Sequence, residues 1–154
     1  ILKRSYKILK IDITEEAAIT LGSRCRGTPR IANRVLRRCR DVAQVRGNGI
    51  IDKIAAEKTL EMLGIDSEGL DPMDRKILSV VIDKFNGGPV GINTLSAALN
   101  EEQNTIEEVY EPYLIQKGLL SRTPRGRVAT QIAYQKMQKT IPSSKMLEQE
   151  QFDF

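Results

Sequence analysis

The chain has 154 residues, a length that corresponds to one ordinary domain or two small ones. Its apolar content of 40% and charged content of 29% are those of a globular protein, and its net charge is +4. Because the chain has no histidine, His-based catalytic triads and most zinc sites are excluded, and we expect no metal centre. No apolar run reaches membrane-spanning length and no signal peptide is visible, so we expect a cytoplasmic protein without a membrane partner.

The charge is unevenly placed along the chain. From Arg24 to Arg46 there are eight arginines against a single acid, Asp41, whereas from Glu101 to Glu111 there are five acids and no base. Segregation of this kind indicates an anionic partner for particular faces, and not a uniformly basic surface.

Residues 1–68 are predicted to form a small helical bundle. We expect the end of a helix over residues 1–10, then helices at about 14–25, 29–46 and 52–63. Thr14 and Thr28 are predicted N-caps, Gly27 a helix end, and Pro29 a first helical residue. Since the chain begins with Ile and its first residues read as helix interior, we expect a C-terminal piece of a longer protein.

Three side-chain patterns in this bundle lead to expectations. The helix from Pro29 is two-faced, with an apolar stripe opposite its arginines. In the fourth helix we predict inward positions at Ile54, Ala55, Thr59 and Met62. Both cysteines, Cys25 and Cys39, fall in helical sequence, which favours small buried hydrophobes over a disulfide or metal pair.

A Gly-rich stretch at 64–69 is predicted to be a linker, and we place the domain boundary between residues 68 and 69. We then expect a helix from Asp71–Pro72 to Phe85, a short strand at 90–92, a helix capped by Asn93 or Thr94, a helix from Thr105 to Gly118, a hairpin over 119–130 and a helix at 131–138. That order is typical of a winged helix, a helix-turn-helix with a β-hairpin wing, so the predicted fold class is mainly α. Residues 141–154 are expected to be a disordered tail.

The hairpin carries three arginines, Arg122, Arg125 and Arg127, around a Pro-Gly turn. Guanidinium groups on a tight turn suit phosphate oxygens, although a solvated basic loop has the same composition. The helix before the hairpin carries Glu107, Glu108 and Glu111, which a phosphate-lined groove would repel. We therefore predict DNA contact through the wing, at backbone phosphates and without sequence preference.

Five segments, taken together, resemble the RuvB family of bacterial Holliday-junction branch-migration motors. They are Arg26–Arg34 (RGTPRIANR), Met73–Lys76 (MDRK), Phe85–Gly91 (FNGGPVG), Thr105–Gln116 (TIEEVYEPYLIQ) and Arg122–Arg127 (RTPRGR). They occur in order and cover nearly the whole chain except the tail.

This resemblance implies a parent with a large AAA+ ATPase domain, a helical lid and a winged helix, of which this chain has the last two. Lid and winged helix would correspond to residues 1–68 and 69–140. The phosphate-binding G-x-x-x-x-G-K-[ST] loop is absent from the sequence, so the fragment alone should not hydrolyse ATP. Implied cofactors are ATP and, through the missing domain, Mg²⁺. Implied partners are four-way DNA junctions and their duplex arms, the RuvA junction-binding protein, the RuvC resolvase and further copies in a homohexamer.

Site residues also follow from the resemblance. Arg30 matches the family's sensor-2 arginine, which reaches the nucleotide phosphates. Arg122 and Arg127 match its DNA-contacting arginines, and Arg125 lies beside them. Other basic residues of the same helix are expected at a subunit interface or in solvent and are not predicted sites; they are Arg34, Arg37 and Arg38.

The sequence departs from the family pattern at two positions, and it leaves two alternative functions open. Lys10 and Asn100 stand where the family pattern leads us to expect helix-ending glycines, and Asn tolerates the left-handed conformation. A sequence-specific transcription regulator and a protein-binding adaptor are the alternative functions. The acidic helix argues against the first, and absence of DNA binding would favour the second.

Overall fold

The computed structural model describes residues 4, 6, 7, 10–26 and 29–150, which divide into two compact units between Pro72 and Met73. The first unit holds helices α1 (Glu15–Arg24), α2 (Pro29–Arg46) and α3 (Lys53–Met62). The second unit begins with α4 (Pro72–Ser79), which is extended by a π-helical turn (Val80–Lys84), and α5 (Ile92–Leu99). Helix α6 follows in three consecutive parts: Gln103–Thr105, the π-helical Ile106–Tyr110, and Glu111–Gln116. Strands β1 (Leu120–Thr123) and β2 (Gly126–Ala129) and helices α7 (Gln131–Lys136) and α8 (Ser143–Glu150) complete the unit.

In the first unit, α1 and α2 both pack against α3 around one apolar core. Thr14 caps α1 as predicted, because its side-chain oxygen accepts a hydrogen bond from the Ala17 N–H at 3.3 Å. Asp52 caps α3 in the same way through the Ala55 N–H at 2.8 Å. A single parallel bridge between Ile13 and Ile51 ties the two helix starts together.

The predicted inward face of α3 is partly wrong. Ile54 and Met62 are 69% and 56% exposed, whereas the buried residues are Ala55, Ala56, Thr59 and Leu60. Ile54 lies among the charged residues of this helix, which are Lys53, Glu57, Lys58 and Glu61, and the opposite face is the buried one. Packing against α1 and α2 selects the face centred on Ala56 and Leu60, both of which are completely buried.

Two helix ends adopt the left-handed backbone that their sequence context led us to expect. Lys10 has φ +51° and the following Ile11 N–H donates to the Tyr6 carbonyl at 3.0 Å, which is a Schellman-type ending. Asn100 ends α5 with φ +53°. The predicted caps Gly27 and Thr28, and part of the helix expected over residues 1–10, lie outside the described residues.

The second unit has the predicted element order, with differences at several boundaries. Helix α5 begins at Ile92 after an extended Gly91, so Asn93 and Thr94 are not its caps, and α6 begins at Gln103. The strand expected at 90–92 is reduced to one antiparallel bridge between Val90 and Arg127. Pro89 offers no N–H for a longer ladder, and α5 starts too soon for one to form.

Two further regions differ from the sequence expectations. The predicted linker at 64–69 is an ordered loop of the first unit, where the Asp66 carboxylate accepts the Glu68 and Leu70 N–H groups at 2.9 and 3.0 Å. Helix α8 forms over Ser143–Glu150 in the segment expected to be disordered, and Lys145 donates to the Gly88 carbonyl. No helix in the described ranges has the length and apolar character needed to cross a membrane.

Candidate nucleic-acid interface

The wing is a short antiparallel hairpin in which Arg122 on β1 lies directly opposite Arg127 on β2. Thr123 closes the turn, since its hydroxyl donates to the Gly126 carbonyl at 2.8 Å. Val90 extends the sheet on the other side of β2, because it exchanges two backbone hydrogen bonds with Arg127, at 3.0 and 2.8 Å. The two arginines therefore share one face of the sheet, and like charges placed opposite each other repel unless an anion lies between them.

Two carboxylates of α6 bind the guanidinium of Arg127. Its Nε donates to Glu111 Oε1 at 2.7 Å and its Nη2 donates to Glu111 Oε2 at 3.2 Å, which is a two-point pair. The same Nη2 donates to Glu107 Oε1 at 3.0 Å. The side chains of Arg127 and Glu111 are only 6% and 2% exposed. The hydrogen bonds that Arg127 donates to Glu111 raise the pKa of its guanidinium above the usual value.

A π-helical turn places Glu111 where it can reach the wing. The Glu111 N–H donates to the Ile106 carbonyl, five residues back, so Ile106 and Glu111 face the same side and both are buried. Pro112 accounts for this turn, because its ring would clash with the carbonyl four residues back in a regular α-helix. Val109, three residues after the buried Ile106, is 42% exposed.

Glu107 connects the two arginines of the wing. Its Oε1 lies 3.0 Å from the Arg127 Nη2 and 3.5 Å from the Arg122 Nη2, so one carboxylate oxygen faces both guanidinium groups. Arg122 is 59% exposed and Arg127 only 6%. The shared carboxylate thus offsets the repulsion between two arginines on adjacent strands while leaving Arg122 open to solvent.

The three predicted wing residues therefore lie in different environments. Arg122 and Arg125 are exposed on the hairpin and its turn, and both are open to an anionic partner. The Arg127 guanidinium, by contrast, is buried and bound by two carboxylates, and its contact with an anionic partner stays a prediction. Sequence reasoning missed Glu111 as the partner, and Pro112 just after it was the available signal.

In the first unit, four arginines of α2 line one groove of about 500 Å³. Arg30 lies in the first turn of α2 and is exposed. The groove is formed by Arg30, Asn33, Arg34, Arg37, Arg38, Asp41 and Leu63. Because positions three, four and seven residues apart share one helix face, the arginines that we expected at an interface or in solvent lie beside Arg30. A groove with this lining is suited to a polyanion.

The two cysteines are free and buried in the core of the first unit. Burial raises the pKa of the Cys25 thiol to about 11, and burial also raises the pKa of Cys39. Both side chains are small hydrophobes, as their sequence context predicted. Within the described part of the chain, no group of three or more Cys, Asp or Glu side chains is arranged to hold a metal ion.

Comparison with known proteins extends over both units. Residues 1–66 match the model described as the RuvB AAA lid domain, and residues 67–138 match the RuvB C-terminal winged helix domain. The chain is 60% identical over 135 residues to the Holliday junction branch migration complex subunit RuvB of Koribacter versatilis, with 88% of this chain and 38% of that protein aligned. It is 56% identical over 144 residues to the protein of the same name from Clostridium kluyveri, with 94% and 41% aligned.

A solved structure agrees with these sequence matches. The Thermotoga maritima RuvB Holliday junction branch migration motor superposes with a TM-score of 0.83 at 47% identity, over 92% of this chain and 47% of that one. The chain thus spans about two fifths of the length of the curated relatives and about half of the solved chain.

Fold and comparisons together define the class: a helical lid of the AAA+ type joined to a winged helix. Both parts carry the sequence features and the structure of a single family. The chain belongs to the RuvB family and contains its lid and its winged-helix domain.

Proposed function

We propose that this chain is the C-terminal part of an ATP-driven DNA motor that moves Holliday junctions during recombination and repair. Its relatives carry the name branch migration complex subunit, which supports that activity for a parent protein. The observation that carries the proposal for this chain is the position of exposed positive charge on the wing. Arg122 and Arg125 are exposed there, whereas residues 103–116, which form α6, include no basic residue.

The wing arginines would bind the DNA backbone. Guanidinium groups form strong charge-assisted hydrogen bonds with phosphate oxygens, and such contacts contribute affinity without reading sequence. Glu108 is exposed on α6 and would disfavour insertion of this helix into a major groove. A motor that moves along DNA of any sequence needs contacts of this sequence-independent kind.

Arg30 would contact the phosphates of ATP. Its exposure in the first turn of α2, beside a groove lined by further arginines, fits a polyphosphate, because both the cations and the helix start favour an anion. A large ATPase domain would hold the nucleotide and its Mg²⁺, since this chain has no phosphate-binding loop. When bound, ATP supplies the hydrolysis energy that drives the motor. The 154-residue chain alone would not hydrolyse it.

The remaining parts of the proposal concern partners and location. A branch-migration motor would work in the cytoplasm on four-way junctions and their duplex arms, as a homohexamer, together with RuvA and RuvC. The relatives' names place RuvB in a branch migration complex, which supports association with other subunits.

DNA binding by the wing is tested with the 154-residue chain and fluorescein-labelled random-sequence duplexes. Fluorescence anisotropy is recorded across a salt series for the chain, for R122A/R125A and for Lys139→Ala. Each wing arginine that binds a phosphate contributes about 0.9 to the slope of log K against log salt, so the double variant should lose about two units. Lys139, which pairs with Asp83 at 3.3 Å, is the control for loss of charge and should change the slope little.

The same titrations discriminate between the rival functions. Equal affinity for unrelated duplexes supports the motor, whereas strong preference for one sequence supports a transcription regulator. A salt slope that R122A/R125A leaves unchanged contradicts the proposal, and absence of DNA binding supports an adaptor.

Nucleotide contact by Arg30 is tested with inorganic triphosphate and MgATP, titrated into isotope-labelled chain. Chemical-shift changes at the start of α2 should follow a dissociation constant on the order of 1 mM, because one face of the site is missing. Arg30→Ala should abolish them, while Arg46→Ala, at the other end of the same helix, should preserve them. Shifts that survive Arg30→Ala exclude the assignment.

A further inference from the structure

The two wing arginines that share Glu107 differ in how they are held. Arg127 has Glu111 as well as Glu107, and it is buried. Arg122 contacts the Glu107 carboxylate through one nitrogen at 3.5 Å, and its side chain is largely exposed. Loss of the Glu107 contact would therefore leave Arg127 anchored, whereas it would free Arg122.

The Glu107 carboxylate is the same kind of hydrogen-bond acceptor for Arg122 as a phosphate oxygen. A carboxylate oxygen and a phosphate oxygen both accept charge-assisted hydrogen bonds from a guanidinium, so they compete for the same donor. At 32% exposure, the Glu107 side chain lies at the edge of the surface, where an approaching backbone phosphate can replace it. Because Glu107 stays bound to Arg127 at 3.0 Å, its own charge remains partnered after the exchange.

We infer that Glu107 is a positioning residue for DNA binding. It holds Arg122 on the face of the wing before DNA arrives and then gives that arginine up to a backbone phosphate. Arg127, which is bound to Glu111, fixes Glu107 relative to the wing. This inference rests on the proposed DNA contact of the wing and assigns the roles of Glu107 and Arg127 within it.

Exchange of this kind has a measurable cost for DNA binding. The internal contact must be broken before Arg122 binds phosphate, so removing the Glu107 charge should strengthen binding. Exposed ion pairs have coupling energies that correspond to a change in affinity of about two- to five-fold. The salt slope should also become steeper, because an Arg122 that is not neutralised internally takes a larger part in displacing counterions.

The experiment measures affinity of the 154-residue chain for a random-sequence duplex by anisotropy, across a salt series. Four forms are compared: the chain, E107Q, R122A and E107Q/R122A. E107Q should bind about two- to five-fold more tightly at low salt, with a steeper slope. In the R122A background the same substitution should change affinity little, because Glu107 acts through Arg122. Circular dichroism and thermal unfolding verify that each variant folds.

Glu108→Gln is the matched control, since it removes the same charge from the adjacent exposed position. A general loss of negative charge would make E107Q and E108Q equivalent, and it would act equally with or without Arg122. Either result overturns the positioning role while leaving DNA binding by the wing intact. Unchanged affinity in R122A/R125A, by contrast, refutes the proposed DNA contact itself.

Discussion

The Arg127 guanidinium and the Glu111 carboxylate form a two-point ion pair, at 2.7 and 3.2 Å, which joins strand β2 to helix α6. The two residues are 16 positions apart and almost completely buried. Because the pair is shielded from solvent, the Glu111 carboxylate depends on Arg127 for its charge partner. Loss of Arg127 leaves that carboxylate uncompensated in the interior.

We therefore expect Arg127→Ala to reduce the free energy of unfolding of the second unit by about 3–5 kcal/mol. Urea unfolding followed by circular dichroism measures this change. Arg125→Ala, on the exposed turn of the same hairpin, should change the free energy of unfolding by no more than about 0.5 kcal/mol. The double variant Glu111→Leu/Arg127→Met should recover much of the loss, because apolar groups of similar size need no ionic partner. Similar unfolding curves for Arg127→Ala and Arg125→Ala would contradict a stabilising role for the pair.

Gly126 is required where the hairpin meets the Val90 segment. Its φ is +131°, and a Cβ atom there would collide with the Val90 carbonyl. Gly126→Ala should cost about 2–4 kcal/mol of unfolding free energy and weaken the wing. Gly91→Ala is the control in the adjacent loop, where a Cβ meets nothing within 4 Å, and it should cost at most about 1 kcal/mol. Equal thermal midpoints for the two variants would refute the close approach.

Lys10 carries a backbone conformation that glycine adopts more easily. Because Lys10 has φ +51°, Lys10→Gly should raise the free energy of unfolding of the first unit by about 0.5–1 kcal/mol. Asn100→Gly, with φ +53° in the second unit, should give a smaller gain because Asn tolerates this region. Chemical denaturation of both variants checks the order, and a destabilised Lys10→Gly would show that its side chain makes contacts that outweigh the backbone strain.

Burial of Cys25 makes stability depend on pH in the alkaline range. Its folded pKa of about 11 lies above the usual value of 9.0, so the folded chain keeps a proton that the unfolded chain loses. The contribution of the Cys25 thiol to the free energy of unfolding is complete below pH 9. It falls towards pH 11 with a slope of about 1.4 kcal/mol per pH unit. Cys25→Ala should show a shallower decline over that range. Denaturant titrations at several pH values measure the difference, and identical slopes for the two proteins would exclude the effect.

Thiol accessibility gives a second readout of the same core. Both cysteines are buried and both pKa values are raised, so a thiol-specific disulfide reagent at pH 8 should react slowly with the folded chain. The same reagent should react quickly after unfolding in denaturant. Rapid modification of two thiols under native conditions would contradict the packing of this core.

Local sequence determined much of this protein. Thr14 predicts a helix start, and Pro124 and Gly126 predict a tight turn, because each depends on backbone geometry within a few residues. The order of elements predicts the winged helix, and the arginine-rich segments match the family. All of these signals lie in short runs of adjacent residues.

Tertiary structure decided which side chains face solvent. Arg127 and Arg122 are both wing arginines, and the sequence does not distinguish their environments. Arg127 is buried against Glu111, whereas Arg122 is exposed. The difference arises because α6 packs on one part of the wing and its π-helical turn redirects Glu111. Burial is a property of contacts between residues distant along the chain, so local pattern could predict the hairpin and its charge but not which arginine remains free to bind phosphate.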